Sequence, residues 1–255
     1  MTPPTPQAGP LPIEIAPAIR PGSGAMFDAI AVRYDRVNRV LSLGLDGLWR
    51  RRLVAALGPL EAGAAVLDVA TGTGDVALAA ARRHLAITVV GVDPSRGMLD
   101  RGRAKVAAAG LASRVELVEG DALSLPFADG QFAATTIAFG IRNVPDRAAA
   151  LRELVRVTRP GGIVAVLELC EPDGGWFGRL ARWHVHHVVP RLGAWLASAP
   201  EYRYLQQSIA AFPPPGAFAA AMTKAGLLQV RVLPQTLGVC HVFAGQVPPR
   251  QPGVA

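Results

Sequence analysis

Short apolar runs alternate along this chain with longer stretches in which apolar residues recur every three or four positions. Residues 26–57 show the second pattern and predict an amphipathic helical segment ending near Gly58-Pro59. From Ala65 a regular alternation sets in. Residues 65–70 predict a strand, residues 71–74 a glycine turn, and the positions through Arg83 a helix. Further strands are expected at 87–92, 115–118 and 132–138, with a helix over 95–109. A helix over 146–158 is predicted to stop at Pro160-Gly161-Gly162, ahead of a fifth strand over 163–169. The unbroken apolar character of that strand suits burial on both faces. Strands alternating with helices imply a parallel sheet with right-handed crossovers and helices on both sides. Residues 176–212 interrupt the rhythm with helical, aromatic-dotted sequence. A helix at 216–225 and strands at 228–233 and 239–244 follow, the last two close enough to pair antiparallel at the sheet's edge.

Composition narrows this picture. With 255 residues, 51% of them hydrophobic, the chain can bury one substantial core. No internal repeat is visible, and no apolar run reaches the roughly 18 to 20 residues that span a bilayer. Residues 1–25 carry Pro3, Pro4, Pro6, Pro10, Pro12 and Pro17, lack the basic and apolar regions of a signal peptide, and read as a flexible leader. A single domain is expected over 26–247, with a helical cover at 26–58, a helical insertion at about 174–212, and a tail at 248–255. Cys170 and Cys240 sit in apolar runs without CxxC spacing, which favours reduced thiols and a cytoplasmic setting. The net charge of +7 rests almost wholly on arginine, since Lys105 and Lys224 are the only lysines. No long basic block interleaved with aromatics appears, so no nucleic-acid partner is expected.

In an open α/β sheet, ligands bind beyond the C-terminal strand ends where the strand order reverses. Three segments converge there. The first is Asp68-Val69-Ala70-Thr71-Gly72-Thr73-Gly74-Asp75, whose glycines let the backbone approach a ligand and turn into a helix. Its carboxylates, Asp68 and Asp75, suit a cofactor bearing positive sulfonium and amino groups. The second ends in Asp93, placed to accept both hydroxyls of a ribose. The third is Glu119-Gly120-Asp121-Ala122, where a short carboxylate can take an adenine amino group. A glycine turn alone would also suit a nicotinamide-dependent oxidoreductase. Against that reading, an acid precedes the turn where a pyrophosphate would be repelled, Ala77 stands where a third glycine is usual, and an acid recurs after the third strand. The cofactor expected is S-adenosylmethionine. A parallel sheet closed by an antiparallel hairpin is distinctive of the class I, Rossmann-like, doubly wound methyltransferases, the fold class predicted here.

A narrower resemblance follows from Tyr34-Asp35-Arg36-Val37-Asn38 with Leu41-Ser42 and Trp49, from Pro126-Phe127, and from Phe139-Gly140-Ile141-Arg142-Asn143-Val144. It continues in Arg156-Val157-Thr158-Arg159-Pro160-Gly161-Gly162 running to Glu168, in residues 187–193, and in Tyr202-Arg203-Tyr204-Leu205 with Ser208-Ile209. Over about residues 26–245 the chain resembles the quinone-biosynthesis C-methyltransferases, a family that includes demethylmenaquinone methyltransferase and 2-methoxy-6-polyprenyl-1,4-benzoquinol methylase. The resemblance implies cofactor contacts from Thr73, Asp93, Asp121 and Ala122, and at Ala138, where the family places a serine. Other departures are Asp46 for the usual His, Arg159 for Lys, Cys170 for Ser, and residues 240–245 in place of Ala-Leu-His-Arg-Gly. The cofactor motifs survive these changes, which bear on the identity of the acceptor.

The reaction implied is C-methylation of a polyprenylated hydroquinone, such as demethylmenaquinol, in menaquinone or ubiquinone biosynthesis. A phenol with a pKa near ~10 must ionise, or begin to, before its ring carbon is nucleophilic. Arg142 stays protonated and can stabilise phenolate charge, the resemblance puts Arg142-Asn143 on the acceptor side, and Tyr34 on the helical cover is placed to hydrogen-bond the ring oxygen. A surface ion pair with Asp146 is the alternative reading of Arg142. His184, His186 and His187 lack the spacing of a helical metal site, so no metal is expected. Trp176, Phe177, Leu180 and Trp183 recur at helical spacing with Arg179 and Arg182, a pattern suited either to a packed lid or to peripheral contact with the membrane's inner face. Methylation of another phenol, a sterol or a secondary metabolite is the competing function, with a nicotinamide-binding oxidoreductase or nucleotide-binding module the reading of another class. A homodimer is left open.

Overall fold

The structure, a computed structural model, describes residues 39, 42–171 and 199–250, with only the backbone at 199–203. The leader, Tyr34, the 174–198 part of the insertion with its tryptophans and histidines, and the end of the tail lie outside the described residues.

Seven strands form one sheet in the order β3-β2-β1-β4-β5-β7-β6. They are β1 (Ala65–Val69), β2 (Thr88–Asp93), β3 (Val115–Glu119), β4 (Phe132–Ala138), β5 (Thr158–Leu169), β6 (Leu228–Gln235) and β7 (Cys240–Gln246). The first five are parallel, and β7 runs antiparallel between β5 and β6. The predicted α/β class and terminal hairpin are both present. Order reverses between β1 and β4, so the crevice expected for a ligand opens above their C-terminal ends.

Period-two alternation explains why both faces of this sheet are covered. Val66, Ala134, Ala165 and Leu167 point to one side and pack with Trp49, Leu53, Leu78, Leu99 and Val106. Their neighbours Leu67, Ile137, Val164 and Val166 point to the other and meet Leu151, Leu154, Phe218 and Met222. Helices α1 (Asp46–Ala56), α2 (Asp75–Arg83) and α3 (Arg96–Ala108) supply the first set; α4 (Arg147–Val157) and α6 (Pro215–Lys224) supply the second. Between them in sequence lies α5 (Ala199–Ala210). Cys170 and Cys240 are both buried and form no disulfide, one in each core layer.

Helix starts follow local chemistry. The Ser95 hydroxyl accepts from the Met98 amide, the Asp146 carboxylate accepts from the Ala149 amide at 2.8 Å, and Pro215 opens α6 where no amide is needed. The expected boundary at Pro160-Gly161-Gly162 is corrected: α4 ends at Val157 and β5 begins at once with Thr158. Phe132 pairs with Thr158 and Ala134 with Ile163, so the Pro-Gly-Gly stretch is an irregularity inside the strand and not a loop before it. Hydrogen bonding between sheet neighbours overrides the turn propensity of those residues there. Of the expected helical cover, Arg39 is described as helical, and from Ser42 onward the chain forms a turn and then α1.

At Gly140, just beyond β4, a Cβ would stand 2.5 Å from the Cβ of Ala70, so the backbones after β1 and β4 approach as closely as a hydrogen permits. Gly140→Ala is expected to lower unfolding free energy by about 1–3 kcal/mol through overpacking. Urea denaturation checks this, and unchanged stability would show that the two loops separate freely.

Candidate active site

The turn after β1 is built for close approach. Gly72 and Gly74 have φ of 56° and 79°, a region that penalises a side chain, and Gly74 caps α2. A Cβ at Gly72 would meet nothing within 4 Å, because the position faces open space. Ala70 and Phe139, the residues just past β1 and β4, also adopt positive φ, 51° and 55°. Such backbone strain at both lips of one crevice is characteristic of a functional site. Between the lips lies a cleft of about 350 Å³, its open mouth included, lined by Arg50, Asp68, Ala70, Thr71, Gly72, Thr73, Asp75, Val76, Ala138 and Phe139.

Two acids anchor the turn. Asp68 is buried and accepts hydrogen bonds from the hydroxyls of Thr71 at 2.6 Å and Thr136 at 2.7 Å. Burial pushes its carboxyl up to about 6, against the pull of those hydroxyls and of Arg50, and with the Asp93 charge adding to the rise. Asp93 ends β2 and accepts from the Gly72 amide at 2.8 Å and the Ser95 amide at 2.9 Å. Its carboxylate is thereby fixed in orientation.

The helix α1 closes one side of the cleft. Trp49 donates from Nε1 to the Thr236 hydroxyl at 2.8 Å, and its ring lies 6.3 Å from that of Phe139. Arg50 pairs with Asp46 one turn earlier, sits 3.8 Å from Asp75, and stacks over Phe139 at 5.7 Å. Burial opposes ionisation of Asp46, but the charge and hydrogen bond of Arg50 outweigh it and hold the carboxyl below its usual range. Lys105 donates to Asp75 and, at 2.9 Å, to the Thr73 hydroxyl.

On the other side of Phe139, Ile141–Asn143 form a single 3-10 turn. Arg142 is 6% exposed and donates from Nη1 to Glu168 at 2.5 Å and to the Phe139 carbonyl at 2.7 Å. Glu168 is fully buried at the end of β5 and also accepts from the backbone amides of Arg142 and Leu169. Arg142 is thus paired in the interior with Glu168 and not at the surface, while Asp146 caps α4. Asn143 accepts from the Tyr204 hydroxyl at 3.0 Å, and Arg147 donates to the Arg142 carbonyl.

Of the residues singled out from sequence, Asp68, Gly72, Thr73 and Ala138 line one cleft, and Gly74 caps the helix beneath it. Asp93 joins them through Gly72. Asp121 and Ala122 stand two strands away beyond β3, where Asp121 is exposed and accepts from the Leu123 amide. They flank the cleft proper and do not line it. Sequence reasoning missed Arg50, Thr136 and Glu168. A buried-strand hydroxyl at Thr136, an acid inside the apolar run at Glu168, and the four-residue spacing of Asp46 and Arg50 were the available signals.

Glycines at the β1 lip, two acids lining the cleft, a third fixed at the end of β2, and a cation on the covering helix fit a cofactor that is part nucleoside and part amino acid. Sheet and site together define a class I S-adenosylmethionine-dependent methyltransferase. Comparison with known proteins agrees and goes further: the model of the ubiE/COQ5 methyltransferase family matches residues 22–246. The demethylmenaquinone methyltransferase of Thermus thermophilus is 46% identical over 224 residues, covering 88% of this chain and all of that one. The ubiquinone/menaquinone biosynthesis C-methyltransferase UbiE of Geotalea daltonii is 42% identical, covering 87% of this chain and 94% of its own. In fold alone, a SAM-dependent methyltransferase from Thermotoga maritima matches with a TM-score of 0.59 at 20% identity, covering 88% of this chain and 98% of that one. The chain belongs to the ubiE/COQ5 methyltransferase family.

Because the folded Asp68 carboxyl titrates near 6 and an ordinary one at 3.8, the folded chain holds a proton that the unfolded chain releases. The associated stability is full below about pH 4 and is lost as pH rises through about 6. Asp68→Asn, neutral throughout, is expected to gain on the wild type across that window and to keep an advantage of about 1–3 kcal/mol at pH 8. Urea unfolding at three pH values measures it, and a difference that ignores pH would contradict the burial argument.

Proposed function

We propose that this chain methylates a ring carbon of a polyprenylated hydroquinone, with demethylmenaquinol as the favoured acceptor, and that Arg142, Asn143 and Tyr34 serve the acceptor side. The observation that carries the assignment of Arg142 is its guanidinium, held by buried Glu168 and by the carbonyl of Phe139, a residue that also lines the cleft. Relatives carrying the name demethylmenaquinone methyltransferase support the choice of acceptor. The bound cofactor supplies an electrophilic methyl group on a sulfonium.

The chain's own residues have three tasks. The first is alignment: the turn at Gly72 and the Asp93 carboxylate fix the nucleoside end, so the reacting centre lies above β1 and β4. The second is charge. Arg142 remains protonated at any working pH, so it acts on the phenolate electrostatically and not as a base. Glu168 keeps the guanidinium in one orientation, and Tyr204 does the same for the Asn143 amide. The third is access to a greasy tail. No helix among the described residues is long and apolar enough to cross a membrane. The segment around Trp176, Phe177, Leu180 and Trp183 is the sequence's candidate for peripheral contact at the membrane's inner face.

The test is methyl transfer to reduced, tailed naphthoquinol and benzoquinol acceptors, read by mass spectrometry against soluble phenols. Methylation confined to the soluble phenols would overturn the quinol reading. Arg142→Lys keeps the charge but loses the planar fork, and is expected to cut turnover about 100-fold while cofactor affinity stays within about threefold. A defect confined to cofactor affinity would leave Arg142 a structural residue.

A further inference from the structure

Strand order fixes which way the cofactor runs. With the ribose at Asp93 on β2 and the base toward β3, the amino-acid end must extend across β1 toward β4. The cleft there presents two acids, Asp68 deep in its wall and Asp75 paired with Lys105, and among its described lining residues a single cation, Arg50. The amino-acid end of S-adenosylmethionine is itself a zwitterion, an ammonium beside a carboxylate. Asp68 and the cleft carbonyls can serve the ammonium, but the carboxylate needs a donor that keeps its charge.

We infer that Arg50 receives the α-carboxylate of the cofactor, so that α1 is held over the site by the ligand it covers. Arg50 is 9% exposed, which strengthens any ion pair it makes by excluding water. Its direction is set beforehand by Asp46 and by the ring of Phe139, one of the two strained lip residues. At 3.8 Å its second terminal nitrogen is too far from Asp75 for a hydrogen bond, and Asp75 is already bonded to Lys105. That contact is one of charge, and a carboxylate seated in the cleft would accept directed bonds from the same guanidinium. Asp46 gives Arg50 its anchoring anion within the same helix.

This inference rests on the cofactor assignment, and a thermodynamic cycle separates the two. Calorimetry on the full chain compares S-adenosylhomocysteine, its decarboxylated analogue, and 5′-methylthioadenosine, which lacks the amino-acid end altogether. In the wild type, decarboxylation is expected to weaken binding at least ~10-fold. In Arg50→Gln that ratio is expected to fall close to one, with partial recovery in Arg50→Lys, while methylthioadenosine binds all three proteins alike. The same ratio in wild type and Arg50→Gln overturns the inference. Equal loss of all three ligands in both variants also overturns it, since Arg50 would then act only by supporting the fold. A wild type that binds none of the three ligands overturns the cofactor assignment itself.

Discussion

Asp93 accepts one hydrogen bond from the turn after β1 and another from the turn after β2. Those two turns enter different helices, and nothing in their local sequences would hold them in register. A carboxylate taken out of water must be met by donors, and here the donors are backbone amides at about 1.5–3 kcal/mol each. The bond that solvates the charge therefore also shapes the turn at Gly72. The same rule recurs twice. Asp68 is met by Thr71 and Thr136, which ties β1 to β4, and Glu168 is met by Arg142 and two amides, which ties β5 to the loop after β4. Three buried acids at three strand ends fix the crevice wall.

The crevice has two sides because the strand order reverses between β1 and β4. Asp93 and the glycine turn belong to the β1–β2 side, Arg142, Asn143 and Glu168 to the β4–β5 side. Phe139 stands between, lining the cleft with its chain, lending its carbonyl to Arg142 and its ring to Arg50 and Trp49. Its positive φ brings these contacts into one place, and the close approach of Gly140 to Ala70 keeps the two lips together. On the function proposed above, cofactor binding and acceptor chemistry are mechanically adjacent while drawing on different strands.

What the sequence made legible was local. Strand positions β1 to β4 fell within a residue or so of the expected bounds, because buried parallel strands are continuous apolar runs and their helices carry capping residues such as Ser95 and Asp146. The start of β5 was misjudged because Pro160-Gly161-Gly162 is a strong turn signal whose outcome was decided by pairing with β4. The site divided in the same way. Glycines and acids of the cofactor segments were readable from spacing, whereas the partner of Arg142 was not. Asp146 is four residues from Arg142 and Glu168 is twenty-six, so a sequence reading favours the wrong one. The Tyr204–Asn143 bond spans sixty-one residues and is equally invisible to periodicity.

The central claim is that the Asp93 carboxylate, fixed by the Gly72 and Ser95 amides, is the receptor for the cofactor's ribose. It is tested most directly by titrating S-adenosylhomocysteine into Asp93→Ala and wild-type protein under identical conditions. Losing two charge-assisted hydrogen bonds at about 1.5–3 kcal/mol each predicts a dissociation constant raised at least ~100-fold. Affinity within about threefold of the wild type would contradict the account and remove Asp93 from the site.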